Sequence, residues 1–163
     1  MKGSYMKVTV KTHIKFPNLN LQAELLNVAN QIIVPDIDKR MLSGKDLTGS
    51  SYPQNSAAWT KRKAKLGLQT GTPLTARGDL RRSFKVKAKG QGSVIISPEG
   101  VRRPYPNTKS NGMTNNELAD ILQNRGLKNG RHYEFFGISE LAERKAIQYV
   151  EKQIKKRIDA VKR

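Results

Sequence analysis

No cysteine occurs among the 163 residues. That excludes disulfides, thiolate-held zinc and a cysteine nucleophile at once, and leaves a reducing compartment permitted. Histidine is nearly as scarce: His13 and His132 are the only two, each alone in the sequence, where such a ring is read as a surface or packing group. Acids number 13 against 31 Lys and Arg, a formal net charge of +18, and they are scattered, with no pair set beside a histidine at ligand or catalytic spacing. Aromatics make up 6%. Apolar runs such as Ile32-Ile33-Val34 and Val94-Ile95-Ile96 are too short for a signal-peptide core or a membrane span.

The motifs that resemble reaction centres fail on inspection. Gly44-Lys45 has the last two letters of a phosphate loop, but Lys39 stands where its first glycine is needed and Asp46 where Ser or Thr must follow. His132-Tyr133-Glu134 matches half of a zinc deaminase signature, whose other half is made of cysteines. Arg77-Gly78-Asp79 reads as a turn entering a helix, not as an integrin ligand. The expectation is a protein that is not an enzyme and needs no cofactor or metal.

What the chain does have is charge in one place. Residues 53–90 hold ten Lys or Arg against one acid, Asp79, and so carry +9 of the total. Few apolar residues interrupt them: Trp59, Leu66, Leu68, Leu74, Leu80 and Phe84. A pI near 10.4 favours partners of negative charge, whether nucleic acid, anionic lipid or acidic protein surfaces. The length suits one domain over 1–163.

Alternation over residues 6–16 predicts a strand with Val8, Val10, Thr12, Ile14 and Phe16 on one side. A helix should follow, capped by Asn18 or Asn20, with Leu21, Leu25, Val28, Ala29, Ile32 and Ile33 on its apolar face. Pro35 should break or kink it, and Gly44 should stop any continuation through Ile37 and Met41. Residues 45–76 read as a long basic loop with a short helix near Ala57 to Leu66, capped by Asn55 or Ser56. Phe84, Val86 and Ala88, then Val94 and Ile96, flank Gly90-Gln91-Gly92 and predict a hairpin. A second loop covers 98–113. Thr114 and Glu117 form a capping box before Leu118, Ile121 and Leu122, with Gly126 ending that helix. Ser139 should cap a last helix whose stripe Leu141, Ile147, Val150, Ile154, Ile158 and Val161 packs on the sheet. The fold class is α+β: a small antiparallel sheet, made of the N-terminal strand and the central hairpin, packed by an N-terminal helix and a long C-terminal helix.

Two stretches carry a resemblance. Trp59 and Lys63 precede Pro73-Leu74-Thr75-Ala76-Arg77-Gly78-Asp79-Leu80-Arg81-Arg82-Ser83-Phe84. Arg131-His132-Tyr133-Glu134-Phe135-Phe136-Gly137-Ile138-Ser139 precedes the last helix. Together, over about residues 20–160, these resemble the virion morphogenesis proteins of tailed phages, the head-tail joining, neck and tail-completion family. Between them the family often has Tyr-x-x-x-His-Gln-x-Gly, where this chain has Asn116 to Gly126.

The resemblance implies a structural role: self-assembly into a ring, often a hexamer, between connector and tail-tube proteins. Such a protein works in the bacterial host cytoplasm during assembly and then in the virion neck or tail. The motif and assembly residues would be Trp59, Leu74, Arg77, Gly78, Leu80, Arg81, Ser83, Phe84, Phe136 and Gly137. A ring lumen lined by Lys and Arg would meet DNA only through its phosphates, as a passing polyanion. Lys61, Arg62, Lys63, Lys65, Arg81 and Arg82 are the candidate patch for DNA or a partner; Lys61 to Lys65 read first as a solvated face. Trp59 is read first as a core anchor and second as an interface anchor. Tyr133, Phe135 and Phe136 are read as core or subunit contacts ahead of base-stacking platforms. A free-standing nucleic-acid-binding protein without sequence readout is the alternative, supported by charge but by no recognisable binding module. A small nuclease comes third.

Overall fold

In the computed structural model, described over residues 20–90, 92–102, 104, 112–127 and 130–161, helices surround a two-stranded antiparallel sheet. The strand expected over 6–16 and residues 105–111 of the second loop lie outside the described residues. The α+β class is as expected.

The first helical run has three parts: α1 (Gln22–Val28), a π turn (Ala29–Ile33) and α2 (Val34–Ser43). Asn20 Oδ1 accepts the Gln22 N–H at 3.0 Å, so Asn20 supplies the entry bond. Leu21, Leu25, Val28, Ala29 and Ile33 are buried as the 3-4 spacing requires, while Ile32 is only half-buried. Each large buried aliphatic side chain contributes about 1.5–3 kcal/mol. Pro35 neither breaks nor terminates the run. The backbone widens into the π turn just before it, and Pro35 sits in the first turn of α2, where its missing N–H is least needed. Gly44 then stops the helix with φ +68°.

Residues 45–76 fold back on themselves. The Asp46 carboxylate accepts from the backbone N–H groups of Thr48 and Ser50, both at 2.9 Å, and Tyr52 N donates to Gly44 O at 2.8 Å. Helix α3 (Ala57–Lys65) is capped by Ser56, whose hydroxyl accepts from Trp59 N at 3.2 Å. Gln69 gathers the next turn by accepting from Thr72 N and from the Thr75 hydroxyl.

A single turn, α4 (Asp79–Arg82), leads into the hairpin of β1 (Phe84–Ala88) and β2 (Val94–Pro98), paired from Phe84 with Pro98 to Ala88 with Val94. A hairpin alone is marginal in water. This one buries Phe84, Val94 and Ile96 and is held to α1 by Gln22, which donates to Ser93 O at 3.0 Å and accepts from Gly92 N at 3.1 Å. The capping box opens α5 (Asn115–Asp120), which passes into a second π turn (Ile121–Arg125) before Gly126. Backbone and side-chain hydrogen bonds from Thr114 hold the Glu117 carboxyl below its ordinary range.

The last helix, α6 (Glu140–Val161), starts where expected, with Ser139 Oγ accepting from Ala142 N at 3.2 Å. Its orientation differs from the expectation. It lies against α1 and the first π turn, not on the sheet, and the residues that turn inward are Ala142, Ala146, Tyr149 and Val150. Tyr149 is met by the side-chain amide of Asn27, and Arg157 pairs with Glu24 and donates to Asn20 O. Small alanines let the two helices approach closely. At 3.6 residues per turn Ile147 and Ile158 therefore lie about a third of a turn from the packed face, and Leu141 about as far from it on the other side. Leu141, Ile147 and Ile158 stay 54%, 51% and 44% exposed.

Candidate functional site

The Leu74–Phe84 motif is built around a backbone turn. Gly78 has φ +71°, so the chain enters α4 through a left-handed residue, which costs a non-glycine residue about 1–2 kcal/mol. Asp79 stands in the first turn of that helix, with Gly78 and not Asp79 in the capping position. Ser83 is buried and donates to Leu80 O at 2.7 Å, closing the turn before the strand. Leu80 and Phe84, four apart, both reach the core.

Phe84 stacks on Phe136 with centroids 5.3 Å apart and meets Phe135 edge-on at 6.4 Å. The two resembling elements thus meet through their aromatic rings. Tyr133, Phe135 and Phe136 are buried, which makes them core residues and not base-stacking platforms. Gly137 is fixed by space as well as by backbone: a Cβ there would stand 2.7 Å from Leu47 Cδ1.

Beside the motif the surface dips into a cleft of about 370 Å³. Trp59, Leu74, Arg77, Gly78 and Leu80 line it, so five of the motif residues converge there. Trp59 is half-buried, with the Arg62 guanidinium 5.9 Å from its ring centroid, and lies on the cleft wall, not in the core cluster. The floor is completed by Leu118, Leu122 and Tyr133, and the rim by Arg102 and Arg131. Arg77 donates to Pro104 O at 2.6 Å, which fixes one side of the rim; Arg131 donates to Gln54 O on another. Asp79 is the one acid of the lining, and Arg82 stands 3.9 Å from it. Sequence reasoning missed Arg102, Leu118 and Leu122 as neighbours of the motif, because separate turns bring them together.

Two members of the expected basic patch are withdrawn. Lys63 is fully buried, its ammonium donating to the carbonyls of Thr72 at 3.0 Å and Pro73 at 3.4 Å. Burial pulls its pKa below the ordinary lysine value. Its position on the inner face of α3 makes it a strut for the following loop. Arg81 turns away from the cleft, and its Nη1 donates to both Asp38 carboxylate oxygens at 2.7 and 2.9 Å, tying α4 to α2. Lys61, Arg62, Lys65 and Arg82 remain exposed.

A further group had no counterpart in the sequence reading. Arg40 is buried and donates to Asp36 at 2.8 Å, to Phe135 O at 2.9 Å and to Gly137 O at 2.8 Å. Asp36 also accepts from the Ser139 hydroxyl at 3.0 Å. The i,i+4 spacing of Asp36 and Arg40 was the only available signal, and it described a surface pair as well as a buried one.

Among the described residues no three His, Asp or Glu side chains gather as metal ligands, and no helix is long and apolar enough to cross a membrane. The cleft offers apolar contact, with guanidinium groups in its lining. Comparison with family models, with curated proteins and with solved structures returns no match to this chain.

Proposed function

We propose that this chain is a structural protein of a tailed phage or prophage, acting at head-tail joining or tail completion. It works by ring-like self-assembly and by contacts with connector and tail-tube proteins, without catalysis, first in the host cytoplasm and then in the virion neck or tail. The observation that carries the reading is the exposed apolar face of α6. Ile147 and Ile158 lie on nearly the same face of the helix, each about half exposed, and form a surface that association would cover. The meeting of the two resembling elements at Phe84 and Phe136 supports it further, since both then belong to one unit.

DNA enters as a passing polyanion. Lys61, Arg62 and Lys65 on α3 and Lys145, Lys152, Lys155 and Lys156 on α6 are exposed and suit phosphate contacts. Titration with duplex DNA at rising salt separates this from the free-standing nucleic-acid-binding reading. Assembly predicts weak, sequence-independent binding that fades with salt. Tight, sequence-specific binding by the monomer would contradict it.

A further inference from the structure

The outward side of α6 has the spacing of a helix-pairing seam. Ile147, Glu151, Ile154 and Ile158 follow one another at intervals of four, three and four residues, so they line one stripe of the helix. Ala142, Ala146, Tyr149 and Val150 take the side packed on the core, which leaves the stripe turned away from it. Ile147 and Ile158 are about half exposed, Ile154 is half-buried and Glu151 is exposed. Lys155, also exposed, borders the stripe one turn beyond Glu151.

Charge decides what covers such a stripe and in which direction. A second α6 laid parallel and in register would set Glu151 against Glu151 and Lys155 against Lys155. Laid antiparallel, with Ile147 opposite the partner's Ile158, it sets Glu151 against the partner's Ile154 and beside the partner's Lys155. The two-fold axis repeats that pair, so two contacts of opposite charge form at once. Within one copy Glu151 and Lys155 are i,i+4 neighbours, an exposed arrangement worth only about 0.3–0.5 kcal/mol, so a contact across the seam competes readily. The Glu151 methylenes can lie along the apolar seam while its carboxylate reaches the edge.

We infer that α6 docks on α6 of a second copy, antiparallel about a two-fold axis, with Ile147 on the partner's Ile158 and Glu151 beside the partner's Lys155. Both copies use the same surface, so the contact closes into a pair, and a ring would be built from such pairs. Pairing through α6 comes first, so a chain with a spoiled seam stays monomeric. The inference rests on the self-assembly reading and names the first contact it makes.

Complementary charge variants test the pairing. Glu151→Lys puts lysine beside the partner's lysine, and Lys155→Glu puts glutamate beside glutamate; both positions are exposed, so the melting temperature should hardly change. In sedimentation velocity at low salt, each variant alone should associate at least about tenfold more weakly than the parent chain, and an equimolar mixture should recover the parental association. Cross-linking reads the direction, and a chain without cysteine suits it. Treated with a short bis-maleimide, Ile147→Cys and Ile158→Cys proteins should join on mixing and not when alone, because each cysteine lies about 16 Å along the axis from its own counterpart. A parent chain that associates while the mixed charge variants stay weak, or while each cysteine variant cross-links only to itself, overturns the antiparallel pair and leaves self-assembly standing. A parent chain that stays monomeric overturns both.

Discussion

Replacing Arg40 by leucine should cost about 3–5 kcal/mol of folding stability, the usual penalty for removing one partner of a buried ion pair. Three donors are lost together, and the Asp36 carboxylate and the carbonyls of Phe135 and Gly137 are left without them. Since a domain is stable by only about 5–15 kcal/mol, the urea midpoint should fall by a large fraction. Arg40→Lys should recover little, because an ammonium cannot reach two carbonyls and a carboxylate with the geometry of a guanidinium. Asp36→Asn combined with Arg40→Leu should destabilise by much less than the two single losses added, since both break one network. Additive losses would show that Arg40 acts through packing alone. The segment that Arg40 anchors also carries Tyr133 and Arg131 into the cleft lining, so the substitution should loosen that wall of the cleft as well.

Phe84→Asp should yield no folded protein. Phe84 lies between Phe135 and Phe136, stacked on the latter at an interplanar angle of 11°, and is 7% exposed. Truncation to alanine should cost about 3–5 kcal/mol, and aspartate adds the burial of a charge with no partner to receive it. Circular dichroism of the soluble fraction reads the outcome. A Phe84→Asp protein with a parental melt would remove the aromatic stack from the account, whereas Phe84→Leu should fold with reduced stability.

Where elements begin and end was largely legible, because local rules decide it. Ser56, Ser139 and the Thr114–Glu117 box cap their helices, Gly44 stops α2, and the alternation of Phe84–Ala88 with Val94–Ile96 places the hairpin. The misses share one physical cause: which face a helix buries depends on what it meets. Ala142 and Ala146 beat the larger isoleucines of α6 for the inner face because α1 approaches closely there. Lys63 looked like one of four basic surface residues until a loop wrapped around it with two carbonyls turned inward. Pro35 does not end the helical run: the regular helix gives way to a π turn just before it, and the proline falls in the first turn of α2. The motif itself was visible as Leu74, Gly78, Leu80, Ser83 and Phe84, but the cleft beside it was not, since Arg102, Leu118 and Arg131 arrive from separate turns. Residues 53–90 therefore serve as a mounting element: the glycine turn and its apolar anchors fix the frame, and part of the charge is spent inside the structure.

Sedimentation velocity of the full chain beside an Ile147→Asp/Ile158→Asp variant tests the central claim most directly, that the exposed face of α6 is an assembly surface. Both isoleucines are about half exposed, so the substitutions should leave the melting temperature nearly unchanged. The account predicts that the parent chain forms multi-subunit species as its concentration rises, and that the variant stays monomeric over the same range. A parent chain that remains monomeric throughout, or a variant that associates just as well, would contradict it.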